Sequence, residues 1–492
     1  MLGEMKAADD RHLYTTTSFT FEKGHGDWPE NQDDFFVTQW TKKGWVRGQG
    51  VFNQELPSFD KDFRASIDGM EVPLVTHEVG QYSVYPDLTE IPKYTGTLMP
   101  LNFMAVKEDL EKKGLIDKAP QYLQASGKLA AILYKEEIER AMKTPGISGF
   151  QLLDLHDFPG QGTALVGLLN TFWESKGVAN AEEFRQFSAP VVPLARFSKA
   201  VYKNNEQFTA DIEIANYSSE EINNKNIKWA LTNASGQPLQ EGIIPLTNIK
   251  IGGGNIAGKI SCSLSEVKKA ERLTLRVSIE NSSYKNTWNI WVYPATLTIE
   301  KEEIVVTDKL TETQKALAAG KTVLFNPPYQ LCAGLQGKFV PVFWSPVHFP
   351  KQAGTMGLLL DPTHKAFAHF PTEGHTNWQW WSLTTQSRTL VIDSIYQHIT
   401  PLVECVDNFA NNRRLATLFE TNCLNGKLIV CSMDLLNHQD TFPEKKQLLY
   451  SLINYMKSNA FAPVKSISFE ELCSLVKPSS KGKKEETPQS VY

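Results

Sequence analysis

Apolar and polar positions change their period along this chain, and the changes divide it. From residue 1 to about 187, apolar runs at 12–18, 35–39, 72–78 and 149–155 alternate with helical stretches at 106–114 and 121–140. In the second stretch Leu129, Ile132, Leu133 and Glu136 follow helical spacing. Strand and helix in alternation predict a parallel α/β sheet or barrel. The 2–8 stretch has helix formers but no capping residue before it, as though cut from a longer helix. From about 190 to 297 the period becomes two, with Phe208, Ala210, Ile212 and Ile214 on one side and Leu273, Leu275, Val277 and Ile279 repeating the theme. That pattern predicts a β-sandwich. The Ile251-Gly252-Gly253-Gly254 and Asn223-Asn224-Lys225-Asn226 runs read as turns. From about 298 to 474 α/β alternation resumes, with strands at 303–307, 322–325 and 428–433 and an amphipathic helix at 444–457. Residues from 475 onward are too polar to bury a core and are expected to form a disordered tail.

Length agrees with several domains, since 492 residues exceed what one core organises. With 41% hydrophobic and 21% charged residues, fibrous and wholly disordered classes are excluded. Fifty basic against 55 acidic residues leave no broad basic surface, so nucleic acid is not an expected partner. No apolar run approaches the ~18 residues that span a bilayer, and Met1-Leu2-Gly3-Glu4-Met5-Lys6 lacks the apolar stretch of a signal peptide. A membrane partner is not expected either. The six cysteines, at 262, 332, 405, 423, 431 and 473, form no C-x-x-C pair and read as inert buried thiols, not as a zinc site or a disulfide framework.

Candidate chemistry gathers at two strand ends. In Val72-Pro73-Leu74-Val75-Thr76-His77-Glu78-Val79-Gly80-Gln81-Tyr82, alternation would put Leu74, Thr76 and Glu78 on one face of a barrel strand, with Glu78 at the carboxyl end where catalytic groups of barrels collect. The bland alternative is a solvated acid at a strand end. In Leu153-Asp154-Leu155-His156-Asp157-Phe158, an apolar strand opens into polar residues, and Asp154, His156 and Asp157 are candidates to grip hydroxyls. The following Gly160-Gln161-Gly162 has neither form of phosphate loop. Trp45, Arg47 and Gln49 sit in a glycine-flanked loop that suits either a sugar subsite or a packed rim. Asn377-Trp378-Gln379-Trp380-Trp381 fits a core or seam better than a glycan platform, and His348, His364, His369 and His375 have no metal-ligand spacing. Neither Cys332 nor Cys431 has the glycine-framed turn that a nucleophilic thiol needs, so the last domain is expected to be non-catalytic.

Taken together, Thr15-Thr16-Thr17-Ser18-Phe19-Thr20-Phe21, Val37-Thr38-Gln39-Trp40, Gly44-Trp45-Val46-Arg47-Gly48-Gln49-Gly50 and the two strand ends resemble the rear half of the catalytic barrel in glycoside hydrolase family 2, the β-galactosidase-like enzymes. The sandwich resembles that family's immunoglobulin-like domain, and the last domain the class I glutamine-amidotransferase-like module appended to some members. The resemblance implies a multidomain α/β plus β chain: a partial (β/α)8 TIM barrel over 1–187, an immunoglobulin-like β-sandwich over 190–297, an α/β amidotransferase-like domain over 298–474 and a tail over 475–492. It implies a carbohydrate substrate, no metal and no cofactor, and Glu78 as nucleophile of a retaining glycosidase, with His77 pointing away from the pocket and packing or supporting. The family's acid/base glutamate, in an Asn-Glu pair on the fourth strand, has no counterpart here. The chain is therefore expected to be a fragment, inactive alone, completed by an amino-terminal half or by another copy, and exported if a leader precedes it. The alternative is a non-enzymatic carbohydrate-binding or assembly protein on the same architecture.

Overall fold

The computed structural model describes residues 1–492 apart from 17, 19–23, 49–50, 246–247 and 477–492. Gln49, part of the 15–21 segment and nearly all of the expected tail thus lie outside the described residues. The described part of 12–18 contains no strand.

Three parallel strands, β1 (Phe36–Thr38), β2 (Leu74–Val79) and β3 (Ile147–Leu152), form one sheet with β2 in the middle. Their register pairs Thr38 with Thr76 and Val79 with Leu152, so all three carboxyl ends lie at one edge. The helices α1 (Leu101–Lys113) and α2 (Ala119–Met142) follow β2 in the chain. Gly114 ends α1 in the left-handed conformation that favours glycine, at φ 63°. α2 is buried almost all round: Leu129, Leu133 and Ile138 join the core, and Glu136, Glu137 and Glu139 are buried with them. Its periodicity announced a helix but not the burial of its carboxylates, which depends on partners from other elements.

Leu74 packs with Phe36, Phe63, Ile67, Ala141 and Ile147, and Thr76 donates to the Val46 carbonyl (2.7 Å). This face is closed off, with Leu74 and Thr76 buried against the neighbouring strands, the 63–67 segment and the end of α2. His77 and Gln151 stand on the opposite face, joined by Nδ1 and Oε1 at 2.7 Å. The alternation expected through Glu78 stops there, because Glu78 turns to φ 58°. The described strands do not close into a barrel.

The middle region holds two sheets whose buried faces share a core. One is ordered Pro238–Pro245, Asn226–Thr232, Glu271–Ile279, Lys285–Tyr293, Val201–Lys203, and the other Gly252–Ser263, Gln207–Asn216, Val191–Arg196. The glycine run read as a turn is instead the start of a strand. Its register against 207–216 shifts between Gly252 and Asn255, with Gly252 and Gly254 at φ 108° and 77°, so the glycines supply a bulge.

In the last region Ile304–Thr307, Thr322–Phe325 and Gly426–Cys431 run parallel in a nine-stranded mixed sheet, against which the Leu415–Cys423 strand is antiparallel. Leu475 and Val476 still pack into its core from the Phe469–Val476 helix, so buried structure reaches just past 475. The largest core cluster is continuous through all three regions. Trp378, Trp380 and Trp381 belong to it: Trp378 meets Phe52, Phe59 and Phe339, and Trp381 donates its indole N–H to the Phe52 carbonyl (2.6 Å). These indoles fill a seam and present no platform.

Candidate active site

Gln39, Glu78 and Asp154 stand where β1, β2 and β3 end. Glu78 is the unusual member. A residue with a Cβ in the left-handed region costs about 1–2 kcal/mol, and this one sits two residues before Gly80 at φ 102°. Gly80 is required by space as well, since a Cβ there would fall 2.0 Å from the Tyr134 ring. The curl lifts the Glu78 carboxylate off the strand face and leaves it 20% exposed.

Two buried amides aim at the same oxygen of that carboxylate. Gln39 and Gln81 both donate from Nε2 to Glu78 Oε2, the latter at 3.3 Å. Their own oxygens accept from one guanidinium: Arg47 Nη1 to Gln39 Oε1 at 2.8 Å and Arg47 Nη2 to Gln81 Oε1 at 2.9 Å. Because guanidinium only donates, it fixes which end of each amide faces the acid. Arg47 Nη1 itself lies 3.8 Å from Glu78 Oε2. The other oxygen, Oε1, has His77 Nε2 at 3.5 Å, so His77 does not point wholly away from Glu78 as expected.

Beneath this fork Glu137 of α2 closes the network. It accepts from Gly48 N (2.8 Å), Gly80 N (3.3 Å) and the Tyr82 hydroxyl (2.7 Å), and lies 3.7 Å from Arg47 Nε. Burial pulls the Arg47 guanidinium below its ordinary pKa against the opposing pull of Glu137, and pushes the Tyr82 phenol far up. Gln81, Gln39 and Glu137 carry the arrangement, yet sequence reasoning assigned them nothing. The first two lay inside motifs named above, and the signal for Glu137 was the cluster of Glu136, Glu137 and Glu139 on one helix.

Two of the sequence candidates cannot touch a ligand directly. Arg47 is wholly buried and spends its donors and charge on Gln39, Gln81, Glu78 and Glu137. Asp157 is equally buried, bound by Lys176 Nζ (2.6 Å) and Gly167 N (3.0 Å), and burial raises its pKa despite the lysine. It braces the segment after β3. Asp154 and His156 remain accessible, with His156 Nε2 3.8 Å from Asp154 Oδ2 and His156 Nδ1 2.6 Å from the Asp157 carbonyl. Trp45 is half-buried, edge-on to Trp40 with centroids 5.5 Å apart.

Among the described residues, no group of three or more His, Cys, Asp or Glu is placed to hold a metal ion, and no helix is long and apolar enough to cross a membrane. Cys332, Cys405, Cys423 and Cys431 of the last region are buried: the Cys332 thiol is pushed up to about 11, and Cys431 further still.

Residues 305–477 match the family model described as domain of unknown function DUF8487, and residues 206–294 match domain of unknown function DUF8488. No curated protein matches the chain. Among solved structures, the CARDB domain of a Pyrococcus furiosus protein is similar at 6% identity, over 21% of this chain and 86% of its own, with a TM-score of 0.17. Parabacteroides merdae β-glucuronidase is similar at 10% identity, over 28% of this chain and 21% of its own, with a TM-score of 0.17. Amycolatopsis orientalis exo-chitosanase is similar at 12% identity, over 36% of this chain and 19% of its own, with a TM-score of 0.23. The chain thus spans about a fifth of the length of each of the two glycosidases.

Proposed function

We propose that this chain carries the nucleophile of a retaining β-glycosidase, of the β-galactosidase-like kind, and that Glu78 is that nucleophile. The observation supporting this reading above all is the strained, partly exposed Glu78 carboxylate, with one oxygen held by two amides that a buried arginine orients. A solvated surface acid needs none of this. Displacement at an anomeric carbon needs an ionised carboxylate fixed in direction, facing a protonated carboxyl about 5–5.5 Å away that assists the leaving group. Tying Oε2 to Gln39 and Gln81 leaves Oε1 as the attacking atom, and fixing the carboxylate beforehand removes an ordering cost from the transition state. Asp154 and His156 serve as hydroxyl-binding groups at the neighbouring strand end. The protonated partner is a carboxyl group outside the fork around Glu78.

In the complete enzyme a dinitrophenyl 2-deoxy-2-fluoro-β-glycoside should label Glu78, with galactoside, glucuronide and mannoside versions ranking the sugar. A label on another carboxylate, with normal turnover by Glu78→Gln, would overturn the assignment. The 492-residue chain alone should not turn over dinitrophenyl glycosides. Such leaving groups bypass a general acid but not the groups that position the sugar.

A further inference from the structure

The segment after β3 carries a feature that the catalytic reading leaves unused. Phe158, Phe172 and Trp173 are all exposed, and Trp173 is 62% exposed. A single exposed aromatic needs no explanation. Trp173 differs because its loop is built to hold it out.

Asn170, itself buried, organises the turn. Its side-chain oxygen accepts from Phe172 N (2.9 Å) and Glu174 N (3.0 Å), its amide nitrogen donates to Glu174 Oε2 (2.8 Å), and its carbonyl accepts from Trp173 N (3.0 Å). Lys93 pairs with Glu174 from outside, and Phe172 packs edge-on against Tyr94 at 5.0 Å. Within this frame Trp173 adopts φ 63°, a conformation costing about 1–2 kcal/mol for a residue with a Cβ. Its indole meets the His156 ring at 4.5 Å, inclined by 62°. His156 is in turn fixed by the Asp157 carbonyl and stands beside Asp154, at the same sheet edge as Glu78.

We propose that Trp173 is a stacking platform for a pyranose ring of a carbohydrate chain, with Asp154 and His156 receiving hydroxyls at the edge of that ring. This deepens the glycosidase reading and rests on it for the identity of the neighbouring site. A pyranose offers what the surface asks for, an apolar face of C–H groups for the indole and a rim of hydroxyls for a carboxylate and an imidazole. The carboxylates of Asp154 and Glu174 disfavour an anionic membrane surface at the same place. The platform lies at the same sheet edge as Glu78, so a sugar chain that reaches both is preferred over a simple glycoside.

The full chain, with 5-fluorotryptophan incorporated, should be titrated with β-linked galacto-, gluco- and manno-tetrasaccharides and with the three matching monosaccharides. The fluorine resonance that disappears in Trp173→Phe identifies the platform. At least one tetrasaccharide should shift that resonance saturably, the monosaccharides should bind at least about tenfold more weakly, and Trp173→Ala should weaken the tetrasaccharide about tenfold. A Trp173 resonance unmoved by every tetrasaccharide, or tetrasaccharide affinity unchanged in Trp173→Ala, overturns the platform. Glu78→Gln should retain the shift. Trp173 binding without fluoroglycoside labelling of Glu78 in the complete enzyme would sustain the platform while removing the nucleophile, and the reverse result would do the opposite.

Discussion

Two sets of parallel strands in this molecule end on residues with nucleophilic side chains, Glu78 on β2 and Cys431 on the Gly426–Cys431 strand. The chain leaves them in opposite states. At Glu78 the backbone turns left-handed and reaches Gly80 two residues later, so the side chain leaves the strand and meets solvent. At Cys431 the strand end is locked: Asn326 Nδ2 donates to the carbonyls of Cys431 (2.7 Å) and Met433 (2.6 Å), and Asn326 Oδ1 accepts from Leu435 N (3.1 Å). The thiol stays in the core. What separates a usable nucleophile from an inert one is therefore the turn after the strand, with its glycine and its supporting donors, more than the residue at the strand end.

The most damaging way to break this contrast is to remove the fork under Glu78. Arg47→Met should destabilise the protein by about 3–5 kcal/mol, because it strands the buried Glu137 carboxylate as well as releasing both amides. Urea unfolding measures this, and combining the change with Glu137→Gln should recover part of the loss. Arg47→Met at wild-type stability would mean that the guanidinium does not hold the network together.

A smaller effect compares the two regions by their buried acids. Glu90, raised by burial and then by Asp157, and Glu444, raised by burial, both titrate at about 7 in the folded protein against an ordinary 4.5. A folded pKa above the unfolded one means that the native state binds more protons between those values. Each acid therefore stabilises most below about 4.5, and its contribution is lost as pH rises toward 7. From pH 5 to pH 8, Glu90→Gln and Glu444→Gln should each gain on the order of 3 kcal/mol relative to wild type. Measuring each variant against wild type removes the opposite slope from His375, which burial lowers to about 4. If only one variant changes the slope, the regions differ in how their buried acids are solvated.

Much of the scaffold was legible because it repeats: β2, α2 and the Pro443–Lys457 helix each follow a period that their apolar residues declare. The 251–254 glycines misled because a bulge and a turn ask for the same residue. Glu78 was visible as an acid at a strand end, but the fork around it was not. Gln39 and Arg47 lie far in sequence from Gln81 and further from Glu137, and the four meet only through tertiary contacts. For the same reason Arg47 and Asp157 looked like ligand contacts, when each spends its charge on a buried partner. Trp173 escaped notice because exposure is a property of the folded loop.

The smallest expected signal is at the thiols, where the contrast predicts no chemistry. With its thiol pushed up to about 11, Cys332 holds about one thiolate in several thousand at pH 7.5, and Cys431 fewer. Burial then blocks approach even by that fraction. Cys473, on the half-buried side of the Phe469–Val476 helix, is the more accessible thiol. Brief iodoacetamide treatment of the native chain should therefore modify Cys473 first, with Cys332 and Cys431 protected until denaturant is added, and peptide mass spectrometry would locate the adducts. Incubation with glutamine should release no ammonia above the level of the Cys332→Ala and Cys431→Ala variants. Ammonia release abolished by either change would show that a thiol in the last region is reached and activated, and the contrast between the two strand ends would fail.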